Sequence, residues 1–131
     1  LEESERITND RLASWARYHE LLEPLEAKGV LRRPVVPEGC QHNAHMYYVL
    51  LAAGIDRQGV LDELKRNGIY SVFHYVPLHS SPAGLRYGRV HGSLEITNRQ
   101  AERLVRLPLW VGLSESQQCH VVNRLSNRVL G

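Results

Sequence analysis

Among 131 residues only two are lysines, Lys28 and Lys65, two are cysteines, Cys40 and Cys119, and one is a methionine, Met46. Each scarcity excludes something. The cysteines stand far apart and form no C-x-x-C, so neither a disulfide framework nor a zinc ribbon is indicated, and both read as reduced thiols. With its one methionine at position 46, the sequence is expected to be a processed product or a piece of something longer. No apolar run approaches the roughly 20 residues that a bilayer-crossing helix needs. The opening LEESERITND is acidic and polar where a signal peptide is basic and then apolar, so a cytoplasmic chain with no membrane partner is expected. The net charge of +2 comes from scattered arginines with no basic stripe, which argues against a nucleic-acid partner. There is no Gly-rich phosphate loop, since Gly84 and Gly88 merely flank LRY, and no G-x-S-x-G elbow surrounds Ser80 or Ser81.

What is present suits one ordinary globular domain over residues 1–131, with 43% hydrophobic and 23% charged residues. From about Glu5, Leu12, Trp15, Ala16, Leu22 and Leu25 recur near helical spacing, with Pro24 as a kink or end and Lys28-Gly29 as a stop. VLRRPVVPEG carries two prolines and reads as an edge strand or extended connection, and MYYVLL (46–51) as a buried strand. Asp56 is placed to cap a helix that turns Val60, Leu61 and Leu64 inward and stops at Asn67-Gly68, with Ile69 packing back.

A second strand, IYSVFHY (69–75), is predicted next, and after a polar loop TNRQ (97–100) has the pattern of a capping box stapled by Ile96 and Ala101. Leu104 and Val105 would continue that helix, and LPLW (107–110) would form a short strand. Ser114 and Gln117 form another capping box, starting a helix with Val121, Val122, Leu125 and Val129 on one side. The expected architecture is an α+β domain, a three- or four-stranded, mainly antiparallel sheet packed with helices.

The residues richest in chemistry lie in FHYVPLHSSPAG (73–84), which holds two histidines, a tyrosine and two serines around a proline. If its start is a strand, His74 and Tyr75 point to opposite sides, one toward the core and one toward a cleft. His79 follows Pro77, which fixes the backbone; it either faces a ligand or closes a turn. His42 and His45 form H-x-x-H, and a zinc protein would use them with His74 and His79. Residues three apart in a strand face opposite ways, however, and no thiolate or carboxylate completes the set, so no metal site is expected. A third reading is a free-standing module that binds a small ligand through the His74–His79 loop.

HNAHMYYVLL, NGIYSVFHYVPLHSSPAG and AERLVRLPLWVGLS resemble, in order and at matching separations, the C-terminal part of the sugar-nucleotide aminotransferases of the DegT type. The resemblance runs from ERITNDRLASWARYHELLEPL to the end of the chain. It implies the small C-terminal domain of a fold type I enzyme, whose absent large domain holds pyridoxal phosphate. It also implies amino transfer from L-glutamate to C4 of dTDP-4-keto-6-deoxy-D-glucose, by a homodimer when full length. That chemistry needs a lysine that forms a Schiff base with the cofactor. Neither Lys28 nor Lys65 sits in the family's Ser-x-x-Lys setting, so this chain alone is expected to be inactive and to hold no cofactor.

The resemblance places the 73–84 loop beside the sugar-nucleotide pocket, with His79 first and Tyr75 or Ser80 next as substrate contacts, and carries over no catalytic residue. Arg103 and Arg106 either help hold the carboxylate of glutamate or lie on an exposed helix face. Asn43 and His45 are read as satisfying backbone groups, and Tyr47 and Tyr48 as pointing oppositely.

Overall fold

The computed structural model describes residues 2–131. Helices α1 (Ser4–Leu21) and α2 (Glu23–Ala27) are separated where Pro24 enters at the start of α2. Strands β1 (Leu31–Arg32) and β2 (Tyr47–Leu51) follow, then α3 (Arg57–Arg66), a 3-10 turn (Leu78–Ser80), α4 (Pro82–Tyr87), α5 (Glu95–Arg103), β3 (Leu104–Leu107) and α6 (Glu115–Leu130). The sheet is antiparallel in the order β1-β2-β3, with Leu31 opposite Leu51 and Val49 opposite Val105.

The alternation of β2 turns Tyr47, Val49 and Leu51 into the core, all fully buried. There they meet Tyr18, Leu22 and Leu25, the α3 residues Val60, Leu61 and Leu64, and Val121, Val122 and Leu125 of α6. Tyr48 is half-buried on the opposite side, as the sequence predicts. Leu50 is buried there too, and α5 packs against β2, so the strand reads as a continuous apolar run.

Local signals explain most element ends. Gly68 adopts φ +76°, and the Ile69 amide donates to the Leu64 carbonyl at 2.9 Å, folding Ile69 back into the core. The capping box of α6 is complete: the Gln117 amide donates to Ser114 Oγ at 3.2 Å, and the Ser114 amide to Gln117 Oε1 at 2.9 Å. Asp56 stands at the start of α3 without a side-chain cap; its carboxylate lies 3.8 Å from Arg128 instead.

Four expectations are corrected. On the first helix Trp15 packs against the core, and Leu22 and Leu25 after it are buried as expected, but Ala16 is exposed and Ser14 and Tyr18 take inner positions instead. Segment 69–75 is not a strand: only Val72 pairs, with Arg106 of β3. Tyr70, Val72, Phe73, Tyr75 and Val76 are all exposed, so no buried face sets a register. Helix α5 begins at Glu95 with no side-chain cap, and Ile96 is 68% exposed, which rules out the TNRQ box and its staple. The last strand lies at Leu104–Leu107, earlier than LPLW, because Pro108 has no N–H to continue the ladder.

A buried amide joins the first helix to the last. Gln118, with no exposed surface, donates through Nε2 to the Ser14 carbonyl at 2.7 Å and accepts from Arg17 Nη1 at 2.6 Å. Beside it the Tyr18 hydroxyl donates to the Pro108 carbonyl at 3.0 Å, and burial raises the pKa of that phenol. No helix among the described residues is long and apolar enough to cross a membrane.

Candidate functional site

The loop after Val72 is built by its own backbone. Pro77 opens the 3-10 turn, and its carbonyl accepts from the Ser80 and Ser81 amides, each at 3.1 Å. The Ser81 hydroxyl donates to the Leu78 carbonyl at 2.8 Å and accepts from the Gly84 amide at 3.0 Å, which caps α4. A Cβ at Gly84 would lie 1.6 Å from the Leu78 carbonyl oxygen, so only glycine permits this approach.

On this frame His79 is half-buried, and its Nε2 meets Asn98 Oδ1 of α5 at 2.8 Å. Tyr75 is 69% exposed, with its ring edge-on to His74 at 4.7 Å. Because segment 73–76 is no strand, His74 and Tyr75 are not divided between core and cleft; both face outward. Tyr75, Ser80 and Asn98 line a shallow cavity of about 140 Å³ with Phe73, whose ring lies under the Arg57 guanidinium at 5.2 Å. The fold thus brings Tyr75 and Ser80 to one cavity, whereas His79 is outside its lining and connects to it through Asn98.

Arg106 lies elsewhere, on β3 rather than on a helix face. It lines a larger, mostly apolar cavity of about 630 Å³ with Ile69, Val72, Leu109, Trp110 and His120. Its backbone holds Val72 from both sides, at 2.7 and 3.2 Å. Arg103, the last residue of α5, is half-buried and donates through Nε to the Leu51 carbonyl at 2.6 Å, so it closes the end of β2.

His42, His45 and His19 are held by neighbours. His42 packs edge-on against Trp15 at 4.7 Å, and Asn43 Oδ1 accepts from the His45 amide at 3.3 Å. His19 stacks on Trp15 and meets the Tyr47 hydroxyl at 3.3 Å. Burial, then the Arg33 charge, lowers its pKa. Burial pushes the Glu26 carboxyl up, but hydrogen bonds from the Arg33 amide and side chain, at 2.7 and 2.6 Å, outweigh it and hold the carboxyl below its usual range. Among the described residues no group of three or more His, Cys, Asp or Glu is placed to hold a metal ion.

Lys28 and Lys65 are exposed and line neither the loop cavity nor the larger one. The described residues therefore do not fit a cofactor that must bond to a lysine inside a pocket. Sequence reasoning missed Asn98 and Arg57. For Asn98 the signal was its place inside TNRQ: an asparagine within a helix disfavours that helix unless its side chain is engaged elsewhere.

The family model described as the DegT/DnrJ/EryC1/StrS aminotransferase family matches residues 1–126. The chain is 30% identical to a pleiotropic regulatory protein of Geobacillus stearothermophilus, over 93% of this chain and 32% of that protein. It is 29% identical to dTDP-4-dehydro-2,3,6-trideoxy-D-glucose 4-aminotransferase of Saccharopolyspora spinosa, over 92% of this chain and 30% of that one. Among solved structures it superposes on the aminotransferase TlmJ from Streptoalloteichus hindustanus with a TM-score of 0.80 and 25% identity, covering 98% of this chain and 33% of that one. The chain spans about a third of the length of these relatives.

Proposed function

Since the chain belongs to the DegT/DnrJ/EryC1/StrS aminotransferase family, we propose that it is the small C-terminal domain of a longer sugar-nucleotide aminotransferase, whose large domain carries pyridoxal phosphate and its lysine. On this reading the loop from Phe73 to Gly84 forms one wall of the sugar-nucleotide pocket, with His79 and then Tyr75 and Ser80 toward the substrate. The observation that carries it is the half-built character of that wall. The loop is rigidly hydrogen-bonded, yet its own cavity of about 140 Å³ is well below the ~300–1,000 Å³ of ligand pockets, and Tyr75, Leu78, Leu85 and Tyr87 are 69–85% exposed. A free-standing binding module would enclose its ligand better.

Within the family, we read HNAHMYYVLL, NGIYSVFHYVPLHSSPAG and AERLVRLPLWVGLS as resembling dTDP-4-amino-4,6-dideoxygalactose transaminase. The reaction proposed is therefore transfer of the amino group of L-glutamate to C4 of dTDP-4-keto-6-deoxy-D-glucose, in the cytoplasm, by a homodimer. The name of the Saccharopolyspora relative, a dTDP-sugar aminotransferase, supports the nucleotide. The uncommitted guanidinium of Arg106, which makes no side-chain hydrogen bond or ion pair among the described residues, suits a carboxylate such as that of glutamate.

The test is an amination assay of the chain alone, supplied with pyridoxal phosphate, L-glutamate and the keto sugar nucleotide. No product and no stoichiometric cofactor uptake are expected; turnover above background sinks the reading. In the full-length enzyme His79→Ala is expected to lower kcat/KM for the sugar nucleotide about tenfold while cofactor content stays unchanged.

A further inference from the structure

His79 is fixed in more than position. Asn98 Oδ1, a carbonyl oxygen, can only accept, so the hydrogen on the 2.8 Å contact belongs to His79 Nε2. In a neutral imidazole the other nitrogen, Nδ1, then carries the lone pair, and it makes no hydrogen bond among the described residues. The turn that carries His79 buries none of its residues, yet its backbone is tied by Pro77, Ser81 and Gly84, while its side chain is tied across 19 positions to α5. Asn98 interrupts the helix-forming character of α5 and has no other side-chain partner. An arrangement with so little burial and so many directed bonds orients one ring.

We propose that Asn98 is a positioning residue that holds His79 as the Nε2–H tautomer and presents Nδ1 as an acceptor for a hydroxyl or amine donor of the ligand. The tautomer follows from Oδ1, rather than Nδ2, of Asn98 facing the ring; that the donor belongs to a sugar rests on the functional reading above. An unpaired lone pair accepts from a sugar hydroxyl and repels anionic oxygen, so this tautomer suits a sugar ring rather than a diphosphate.

The experiment reads the ring directly. Proton–nitrogen correlation NMR of the isotope-labelled 131-residue chain, well above the titration range of histidine, shows which nitrogen of His79 is protonated. The proton is expected on Nε2, exchanging slowly with solvent. Asn98→Leu, which removes the acceptor, is expected to speed that exchange about tenfold and move the ring nitrogens toward the shifts of free imidazole. Asn98→Asp, which keeps an acceptor, is expected to restore the wild-type pattern. A proton on Nδ1 in the wild-type chain, or ring signals indifferent to Asn98→Leu, overturns the proposal, and the wild-type spectrum decides even if the leucine variant folds poorly. In the full-length enzyme Asn98→Leu is expected to raise KM for the sugar nucleotide several-fold with kcat less affected, recovered by Asn98→Asp. An unchanged KM alongside the expected NMR result removes His79 from the substrate pocket and leaves its pairing with Asn98 standing.

Discussion

The sheet around β2 and the stretch over residues 70–96 are both rich in aromatic and aliphatic side chains, and they use them in opposite ways. In the first, Tyr47, Val49, Leu51 and Val105 have no exposed surface and the backbone is paired in a ladder. In the second, Leu78 and Tyr87 are 85% and 76% exposed, and the chain is held by one bridge at Val72, the turn bonds of Pro77 and Ser81, and the His79–Asn98 contact. One region is stabilised by what it removes from water; the other is shaped by directed polar bonds and leaves its apolar surface open. Apolar content therefore does not locate a core. The core follows from which side chains the helices are free to cover.

The sharpest way to break this contrast is to cut equally into both regions. Leu125→Ala is expected to cost about 2–5 kcal/mol by urea unfolding, because a fully buried side chain leaves a cavity. Equal losses for Leu125→Ala and an alanine in the open stretch would erase the distinction. Gly84→Ala is expected to cost about 1–3 kcal/mol, since its Cβ meets the Leu78 carbonyl and the turn must shift. Hydrogen exchange should show lost protection at the Gly84 and Leu85 amides while the amides of β2 stay protected.

Acid should act on the first region through the Arg33 corner. The folded pKa values of His19 and Glu26 lie below their usual 6.5 and 4.5, so the unfolded chain binds more protons in both ranges. Stability is full above the ordinary histidine value, falls as pH drops below it, and falls again as Glu26 is protonated. Urea midpoints across pH should show both steps, with His19→Gln flattening the upper one and Glu26→Gln the lower; a midpoint that stays level between about pH 7 and 5 contradicts the role of His19. Smallest of all, Leu85→Ala is expected to stay within about 0.5 kcal/mol of wild type, since its side chain is 73% exposed, and a larger loss would reveal packing there.

Elements set by short-range chemistry were legible in the sequence: the Ser114–Gln117 box, the Gly68 stop with Ile69, the Pro24 break and the inward face of α3. Where an element depends on what covers it, the pattern misled. IYSVFHY has the composition of a strand, but only Val72 finds a partner. Thr97 to Gln100 has the letters of a cap inside a helix that had already begun. The candidate loop was visible as a cluster of polar residues after Pro77, whereas the Asn98 contact spans 19 positions and two elements that no local spacing connects. Arg103 and Arg106 looked alike, three apart before LPL; the turn from helix to strand at Leu104 sent one to the Leu51 carbonyl and the other to a cavity.

The Gln118 amide, which bonds to Ser14 and Arg17 more than 100 positions earlier, bears on how the chain is made. Helix α1 leaves the ribosome before the side chain that completes its inner face, which emerges only with α6. Until then Tyr18 and Leu22 lack the Val121, Val122 and Leu125 surface beneath them. Folding is consequently bound to late, long-range closure, with a correspondingly slow step and a nascent stage in which the first helix offers sticky surface to chaperones.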